Sequence, residues 1–258
     1  MNPKGNVYFI SDLHLGVPSR EESLIREKQV VDWIHHIRPD LGELVLLGDV
    51  FDFWFEYKHA VPKGYTRLMG ALAALTDAGI PVHFFMGNHD MWTFGYLETE
   101  LGVKVYPHPV KWERWGHRLY LAHGDGLGPG DYSFKIIRKV FRSPFFQWCF
   151  ARIHPNFGIG LGLALSRRSR KAHAASEQQY LGHDQEWLTQ YCTNDLSSEK
   201  FDYMVFGHRH LPLWIPISGH GVYVNLGDWV SHFTFGRLSP EGFALMKWQD
   251  GKTTLVKD

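Results

Sequence analysis

The chain has 258 residues, more than the ~100 to 200 usual for one domain, but a length that suits a layered α/β fold with an insertion. With 44% hydrophobic and 15% aromatic residues, it is a packed globular protein and not a disordered or collagen-like chain. The 27 basic residues balance the 27 acidic ones, so attraction to nucleic acid or membranes requires a local patch. Histidine, at 16 residues, is the unusual count.

Three short apolar runs in the N-terminal half, 7–10, 44–47 and 82–86, are separated by helical patterns at about 21–37 and 65–79. This alternation predicts βαβ units with a parallel sheet. A polar cluster follows each run directly: Ser-Asp-Leu-His at 11–14, Gly-Asp-Val-Phe-Asp at 48–52 and Gly-Asn-His-Asp at 87–90. Ligands of such sheets gather at the carboxyl ends of the strands, so the three clusters should meet in space.

The pattern changes after residue 110. A hairpin is predicted over 110–122, with its turn at Trp115-Gly116, and it leads into His123-Gly124-Asp125. After residue 200, short apolar runs that begin at 203–206 and are separated by turns predict a mostly antiparallel region. We therefore expect a fourth and a fifth polar cluster at strand ends, the latter at Gly207 to His210.

Helical patterns at about 132–153 and 166–192 predict a helical cap inserted at about 126–195 into a single domain that spans residues 1–258. From Tyr132 to Ser176 the chain has nine Lys or Arg residues and no Asp or Glu. Phenylalanine and aliphatic residues alternate with these cations. The alternation also suits single-stranded nucleic acid, and basic runs are often plain solvated faces, but the aliphatic content favours acyl chains and an anionic membrane surface.

The first apolar run is shorter than the apolar region of an export signal, so no such signal is expected. No apolar run reaches the ~18 residues that span a bilayer, and the best candidate is Gly158 to Leu165. Two cysteines, Cys149 and Cys192, are too few for a disulfide framework and suit a reducing compartment. We expect a cytoplasmic protein with at most peripheral membrane contact.

Five predicted strand ends carry two Asp, one Asn and four His: Asp12, His14, Asp49, Asn88, His123, His208 and His210. Loop capping is the alternative for any one of them, but the set as a whole is a mixture of carboxylate, amide and imidazole ligands without thiolate. Such a mixture suits Mn, Fe or Zn better than Ca, Mg or a structural zinc site. Seven ligands are too many for one tetrahedral ion but suit two ions that share a carboxylate, an arrangement used to hydrolyse phosphoesters.

The chain resembles the calcineurin-like metallophosphoesterase superfamily in the order and spacing of five motifs: Asp12-Leu13-His14, Gly48-Asp49, Gly87-Asn88-His89-Asp90, His123-Gly124-Asp125 and Gly207-His208-Arg209-His210. The resemblance covers residues 7 to about 230 and implies an α/β fold, a four-layer α-β-β-α sandwich. It also implies which residues bind each metal ion: Asp12, His14, Asp49 and His210 for one, and Asn88, His123, His208 and the shared Asp49 for the other.

Features outside the ligands resemble the UDP-2,3-diacylglucosamine diphosphatases of lipid A synthesis. These features are Phe51-Asp52-Phe53-Trp54, a helical cap after His-Gly-Asp, the arginine-rich stretch 167–171 and Leu226-Gly227-Asp228-Trp229. The resemblance implies attack of a metal-bound water on the α-phosphorus of UDP-2,3-diacylglucosamine, which yields UMP and 2,3-diacylglucosamine 1-phosphate, with Mn as the usual metal. It also implies a peripheral enzyme on the cytoplasmic face of the inner membrane.

Cap residues are expected to contact this glycolipid-nucleotide substrate: Asp131, Phe141, Arg167, Arg168, Ser169, Arg170, Lys171 and His173. His173 and Ser176 stand where that family has Asn and Lys. The main branch of the family also carries Arg after the ligand Asn, whereas this chain has His89, as do other phosphoesterases and a divergent branch of the lipid A enzymes.

Asp49 and His89 are the expected catalytic residues. His89 is placed to protonate the leaving oxygen or to contact phosphate, with Asp90 to orient it; a hydrogen bond outside the reaction is the alternative. Asp52 and Asp125 follow ligands closely and are candidates to orient histidines or, equally, to cap loops.

Two other functions stay open. One is a phosphodiesterase, nuclease or nucleotide pyrophosphatase that uses the same metals on another ester. The other is a non-catalytic scaffold, against which the complete ligand set argues because buried, unpaired carboxylate and imidazole groups are costly. We expect no nucleic-acid partner and infer no obligate protein partner.

Overall fold

The computed structural model describes residues 3–129, 132–177, 180, 182 and 185–258, without the side chains at 132–134, 137 and 170–177. Its helices are α1 Arg20–Ile37, α2 Thr66–Asp77, α3 Tyr96–Leu101, α4 Tyr132–Phe141, α5 Pro144–Phe150, α6 Pro155–Glu177 and α7 Trp187–Asn194, with a 3-10 turn at Arg38–Asp40. Its strands are β1 Asn6–Ile10, β2 Leu41–Leu47, β3 Val82–Phe85, β4 Lys104–Tyr106, β5 Val110–Arg114, β6 His117–Leu121, β7 Tyr203–Phe206, β8 Pro212–Ile217, β9 Gly221–Leu226, β10 Thr234–Ser239, β11 Gly242–Gln249 and β12 Lys252–Lys257.

The first sheet has seven strands in the order β12-β11-β10-β1-β2-β3-β4. Strands β1 to β3 are parallel neighbours, as the alternation of apolar runs and helical patterns predicted, and β4, which was not predicted, adds a fourth parallel strand. Strand β10 pairs antiparallel with β1, and β11 and β12 continue the sheet from β10, each antiparallel to the strand before it. Helices α1, α2 and α3 cover its outer face with buried side chains such as Trp33, Leu72 and Leu97.

The second sheet has five strands in the order β5-β6-β7-β9-β8. Its β5–β6 hairpin lies where the sequence predicted it. Strand β7 is parallel to both β6 and β9, so the region after residue 200 is less uniformly antiparallel than predicted. Helix α7 covers the outer face through Leu188 and Cys192, which places this helix in an outer layer of the sandwich although it falls within 126–195.

The inner faces of the two sheets pack against each other. Phe9, Val45 and Phe85 of the first sheet meet Leu121 and Val224 of the second in one buried cluster. The first sheet is therefore covered on both faces, which explains why β1 to β3 are continuous apolar runs and do not alternate. The resulting order of layers, helix, sheet, sheet and helix, confirms the predicted four-layer fold.

Three helices, α4 to α6, lie in the segment predicted as the cap, and together they are called the cap below. The helix predicted at 132–153 is two helices, because Pro144 lacks the backbone N–H that a continuing helix would use. The helix predicted to begin near 166 begins at Pro155. Its first turns contain Gly158, Gly160 and Gly162, and because glycine lowers helix propensity the sequence pattern did not predict them as helical. Among the residues that the structure describes, none of the helices combines the length and apolar character needed to cross a bilayer.

Candidate metal centre and active site

Seven polar side chains converge at one rim of the sandwich, where β1, β2, β3, β6 and β7 end. They are the residues that the sequence singled out: Asp12, His14, Asp49, Asn88, His123, His208 and His210. Within the described residues, all of them except Asn88 fall into compact groups, in each of which the potential ligand atoms lie within 4.8 Å of one another. The convergence follows from topology, because parallel strands present their carboxyl ends at the same edge.

The first group consists of Asp12, His14 and His210. Asp12 Oδ1 lies 3.8 Å from His14 Nε2 and 3.6 Å from His210 Nε2, and the two Nε2 atoms lie 3.3 Å apart. Asp12 is fully buried, and its Oδ1 has no hydrogen-bond donor. A buried carboxylate oxygen without a donor is costly unless a cation binds it. This group is therefore suited to hold a metal ion.

The second group consists of Asp49, His123 and His208. Asn88 joins it, since its Oδ1 lies 3.3 Å from His123 Nε2. Asp49 Oδ2 lies 3.2 Å from His123 Nε2 and 3.8 Å from His14 Nε2, so one oxygen reaches imidazoles of both groups. That position is the one a carboxylate shared by two ions requires.

Five of these residues have left-handed backbone: Asp12, His14, Asp49, His208 and His210, with φ of 54°, 42°, 53°, 69° and 55°. Residues other than glycine seldom adopt this region, and each instance costs about 1–3 kcal/mol that the surrounding structure must offset. Backbone hydrogen bonds hold two of them, from Asp12 N to Gly48 O and from His14 N to Asp49 O. Strain of this kind concentrates at functional sites.

Gly48, which precedes Asp49, has a φ of +87°, so it makes the sharp turn that the sequence predicted. The space it leaves is occupied by the ring of His123: a Cβ at this position would lie 2.5 Å from His123 Nδ1. The same ring donates from Nδ1 to the Leu47 carbonyl at 2.8 Å, which directs Nε2 towards Asp49.

Two carboxylates orient imidazoles of the first group. Asp52 Oδ1 lies 3.2 Å from His14 Nδ1, which confirms one of the two functions weighed for Asp52. Asp228 Oδ2 lies 3.4 Å from His210 Nδ1, a role that the sequence did not indicate. The available signal was its position, because Gly227-Asp228 follows β9 as Gly48-Asp49 follows β2.

The charges of the second group depend strongly on burial. Burial alone would raise the pKa of Asp49, but His123 and His89 outweigh it and hold that pKa well below its ordinary value. Burial and the neighbouring His123 lower the pKa of His208 to about 4. Burial would also lower the pKa of His123, but Asp49 outweighs burial and raises that pKa well above its ordinary value. The group thus presents an ionised carboxylate, a neutral His208 and a protonated His123, which must lose a proton to bind a metal ion.

In the first group, His14 resembles His123. Burial would lower its pKa, but the carboxylates of Asp12 and Asp52 outweigh burial and raise the pKa to about 10. The pocket therefore attracts positive charge strongly, and a metal ion there competes with the His14 proton.

His89 lies beside this pocket on the segment after β3. Its Nδ1 is 2.9 Å from the Asp52 carbonyl oxygen and 3.1 Å from Ser166 Oγ, so Nδ1 carries the proton and donates it. Its Nε2 faces the site, 3.9 Å from Asp49 Oδ2. Burial lowers the pKa of His89, so the ring is mainly neutral at pH 7 and presents Nε2 as an acceptor. Proton donation from Nε2 requires the doubly protonated ring.

The sequence suggested that Asp90 orients His89, but the structure gives Asp90 a different role. Its carboxylate accepts hydrogen bonds from the backbone N–H groups of Gly87 at 2.7 Å and Val50 at 2.8 Å. Asp90 thereby fixes the loops after β2 and β3 to each other.

Asp125 joins the rim to the cap. It forms an ion pair at 2.9 Å with Arg138 of α4, which also donates to the Asp125 carbonyl at 2.7 Å. No hydrogen bond from Asp125 to a histidine is found among the described side chains, so its role is to anchor the cap.

The predicted substrate contacts fall into three sets. Phe141 packs against Trp92 with ring centroids 5.4 Å apart, and Trp92 Nε1 donates to its carbonyl, so Phe141 helps to seat the cap on the rim. Three residues of α6 have exposed side chains: Arg167, Arg168 and Ser169. The remaining four side chains lie outside the described part of the chain: Asp131, Arg170, Lys171 and His173. Ser166, which the sequence did not indicate, is an α6 residue that forms hydrogen bonds at the rim, with Asp52 and His89.

Residues 5–212 match the model of a protein family described as calcineurin-like phosphoesterase. The chain belongs to this family. A UDP-2,3-diacylglucosamine hydrolase from Porphyromonas gingivalis is 33% identical to this phosphoesterase over 245 residues, which cover 90% of this chain and 93% of the relative. A hydrolase of the same name from Vibrio vulnificus is 27% identical, and the match covers 92% of this chain and 95% of the relative. Another from Edwardsiella ictaluri is 26% identical, and the match covers 93% of this chain and 90% of the relative.

The fold of a calcineurin-like phosphoesterase implies bound divalent metal ions, and the residues of this chain fit them. The fit rests on the donorless Asp12 Oδ1, on the shared position of Asp49 Oδ2 and on a donor set of nitrogen and oxygen atoms.

Proposed function

We propose that this phosphoesterase hydrolyses the pyrophosphate bond of UDP-2,3-diacylglucosamine to UMP and 2,3-diacylglucosamine 1-phosphate, a step of lipid A biosynthesis. The observation that carries the proposal is the position of Asp49 Oδ2 between the imidazoles of two ligand groups, beneath an apolar and basic cap. The names of the relatives supply the substrate.

The proposed centre holds two divalent ions. Asp12, His14 and His210 bind one, Asn88, His123 and His208 bind the other, and Asp49 belongs to both. Bound ions of this kind supply Lewis-acid stabilisation of phosphoryl oxygens and a nucleophilic water near neutral pH. The nitrogen and oxygen donors suit Mn, with Fe and Zn as alternatives.

In the proposed reaction, a water oxygen bonds to the α-phosphorus while the bond from that phosphorus to the bridging oxygen breaks. The bridging oxygen leaves with the lipid phosphate, which is a good leaving group. His89 Nε2 faces the pocket beside Asp49, and in the doubly protonated ring it is positioned to donate to a phosphate oxygen. The lipid phosphate can depart without a proton, so His89 contributes less than Asp49 does.

The cap supplies the apolar surface that this substrate needs. Large apolar side chains of α4 to α6 are exposed: Ile136, Phe145, Phe146, Trp148, Phe157, Leu161 and Leu165. Each methylene of an acyl chain that leaves water contributes about 0.8 kcal/mol, against about 0 to 1 kcal/mol for a solvent-exposed ion pair. Acyl chains therefore dominate substrate affinity in this proposal.

The same surface supports peripheral contact with the cytoplasmic face of the inner membrane. The Arg152 guanidinium stacks over the exposed Trp148 ring at 3.4 Å, so a cation and an aromatic side chain are presented together. That pairing suits an interface with anionic headgroups. In sedimentation with phosphatidylglycerol vesicles, the wild-type protein should be found in the vesicle pellet and the Trp148→Gln variant in the supernatant.

Product analysis tests the proposal. Purified protein with Mn²⁺ is incubated separately with UDP-2,3-diacylglucosamine, with UDP-glucosamine and with a nitrophenyl phosphodiester. We expect UMP from the acylated substrate at a kcat/KM far above that for the other two. Equal rates on acylated and deacylated nucleotides would instead indicate a general nucleotide pyrophosphatase or phosphodiesterase.

Hydrolysis in oxygen-18 water tests the site of attack. Attack on the α-phosphorus places the label in UMP, whereas label found only in the lipid phosphate would contradict the proposed regiochemistry.

A further inference from the structure

Helix α6 approaches the rim through a face of small residues. Gly158, Gly162 and Ser166 are four residues apart, so they lie on one face of the helix. A Cβ at Gly162 would overlap the ring of Phe53, which means that the helix lies closer to the segment after β2 than any side chain larger than hydrogen permits. This close approach brings Ser166 to the metal centre.

Ser166 meets the same carboxylate that orients a proposed metal ligand. Its Oγ donates to Asp52 Oδ2 at 2.6 Å, while Asp52 Oδ1 lies 3.2 Å from His14 Nδ1. Asp52 and His14 are fully buried, and Ser166 is 8% exposed. One carboxylate thus connects a residue of the cap to an imidazole of the first ligand group.

We propose that Ser166 is a positioning residue, which acts through Asp52 to orient His14 and so makes the affinity of the first metal site depend on how α6 is seated. The inference rests on the metal centre of the proposed function. It adds a role for the cap beyond substrate binding, because the cap then completes the support of a metal ligand.

The physical reason is the geometry of the carboxylate. With one oxygen held by a hydroxyl of the cap and the other facing His14, Asp52 has a fixed rotation about its side-chain bonds, and the His14 ring plane follows. Partners of this kind fix the orientation of ligand imidazoles. Coupling between two sites is reciprocal, so a metal ion bound by His14 also stabilises the seated position of α6.

Titration of the metal-free protein with Mn²⁺, without substrate, tests the inference. Ser166→Ala removes one hydrogen bond to a charged group and should weaken one of the two Mn²⁺ affinities, that of the site with His14, by up to about tenfold. Asp52→Asn should weaken it by about 10- to 100-fold. Ser143→Ala is the matched control. Ser143 also belongs to the cap, at the N-terminus of α5, but its side chain accepts no hydrogen bond from the backbone of that helix.

The double variant separates positioning from independent effects. In the Asp52→Asn background, Ser166→Ala should cause little further loss of Mn²⁺ affinity, since the residue through which it acts is already altered. Additive losses, or an Mn²⁺ affinity of Ser166→Ala equal to that of the wild type, would overturn the inference.

Hydrogen exchange of the α6 backbone gives a second readout. Mn²⁺ should slow exchange over residues 155–169 in the wild type and in Ser143→Ala, and should slow it less in Ser166→Ala. Equal protection in all three would count against the coupling. Neither measurement uses the nucleotide substrate, so both stand if another ester proves to be hydrolysed, whereas a wild-type chain that binds no Mn²⁺ would refute the metal centre and this inference with it.

Discussion

The two rims of the sandwich treat buried charge in opposite ways. At the rim away from the site, Glu43 of β2 is paired within the protein: Arg114 donates to it at 3.0 and 3.1 Å, and His83 Nε2 lies 3.3 Å away. At the rim where β1 and β2 end, Asp12 Oδ1 is buried without a donor, and Asp49 lies among imidazoles. The incompletely paired carboxylates therefore mark the rim that is suited to bind cations.

The backbone shows the same contrast. At the rim of the proposed metal centre, five of the proposed ligands adopt left-handed φ, whereas Glu43, His83 and Arg114 lie within regular strands. Strained and incompletely paired groups persist only where the surrounding structure holds them in place. Here the packed sheets and a cap seated by Phe53 and Trp92 provide that support.

The strongest test of the contrast is removal of the shared carboxylate. Asp49→Ala should lower kcat/KM by at least about 1,000-fold, because it disturbs both ions and their contribution of several kcal/mol to transition-state stabilisation. Metal content per chain should fall as well. Asp77→Ala, at an exposed position, is the control. Near-normal activity of Asp49→Ala with Mn²⁺ supplied would refute the two-metal assignment.

Removal of the metal ions should lower the stability of the folded protein, because only the rim with Asp12 and Asp49 loses a ligand. At a free Mn²⁺ concentration one hundred times the dissociation constant, binding adds about 2.7 kcal/mol of stability, so chelation should lower the melting temperature by about 5 °C or more. Scanning calorimetry with and without chelator measures the shift. Arg114→Met should keep the full shift and Asp49→Ala should lose most of it; the same shift in Asp49→Ala would place the stabilising ion elsewhere.

His89 sharpens the comparison within the catalytic rim. His89→Ala should reduce kcat by about 10- to 100-fold, at or below the lower end of what general acid catalysis supplies, because the lipid phosphate leaves readily. Steady-state kinetics beside Asp49→Ala and the exposed control His59→Ala tests this. A loss as large as that of Asp49→Ala would mean that proton donation is essential.

The smallest effect is expected at the opposite rim. Burial alone would raise the pKa of Glu43, but His83 and Arg114 hold it below the ordinary value of 4.5. A folded-state pKa below the unfolded one contributes stability above that unfolded value, and the contribution is lost as the pH falls through the folded value. Arg114→Met should therefore cost about 1 kcal/mol at pH 7 and less below pH 4, as urea unfolding can measure, with kcat unchanged.

The sequence was a good guide wherever function depends on distance from a strand end. The seven candidate ligands follow strands by two to four positions, so their common rim could be predicted from where the strands end along the chain. It was a poor guide to the cap. The helix over 155–177 was predicted to begin too late because Gly158 and Gly162 lower helix propensity, whereas the fold uses both where α6 packs closely.

By itself, the sequence determined the parallel arrangement of the N-terminal strands, the set of candidate donor side chains and the basic, apolar character of the cap, because these depend on local patterns and residue chemistry. Only the tertiary structure decided that Asp49 Oδ2 serves both ligand groups, that Asp228 orients His210, and that Ser166 meets Asp52 across 114 residues of chain. Hydrogen bonds require distances correct to a few tenths of an ångström. Such distances are set by how helices and sheets pack against each other, which no local pattern contains.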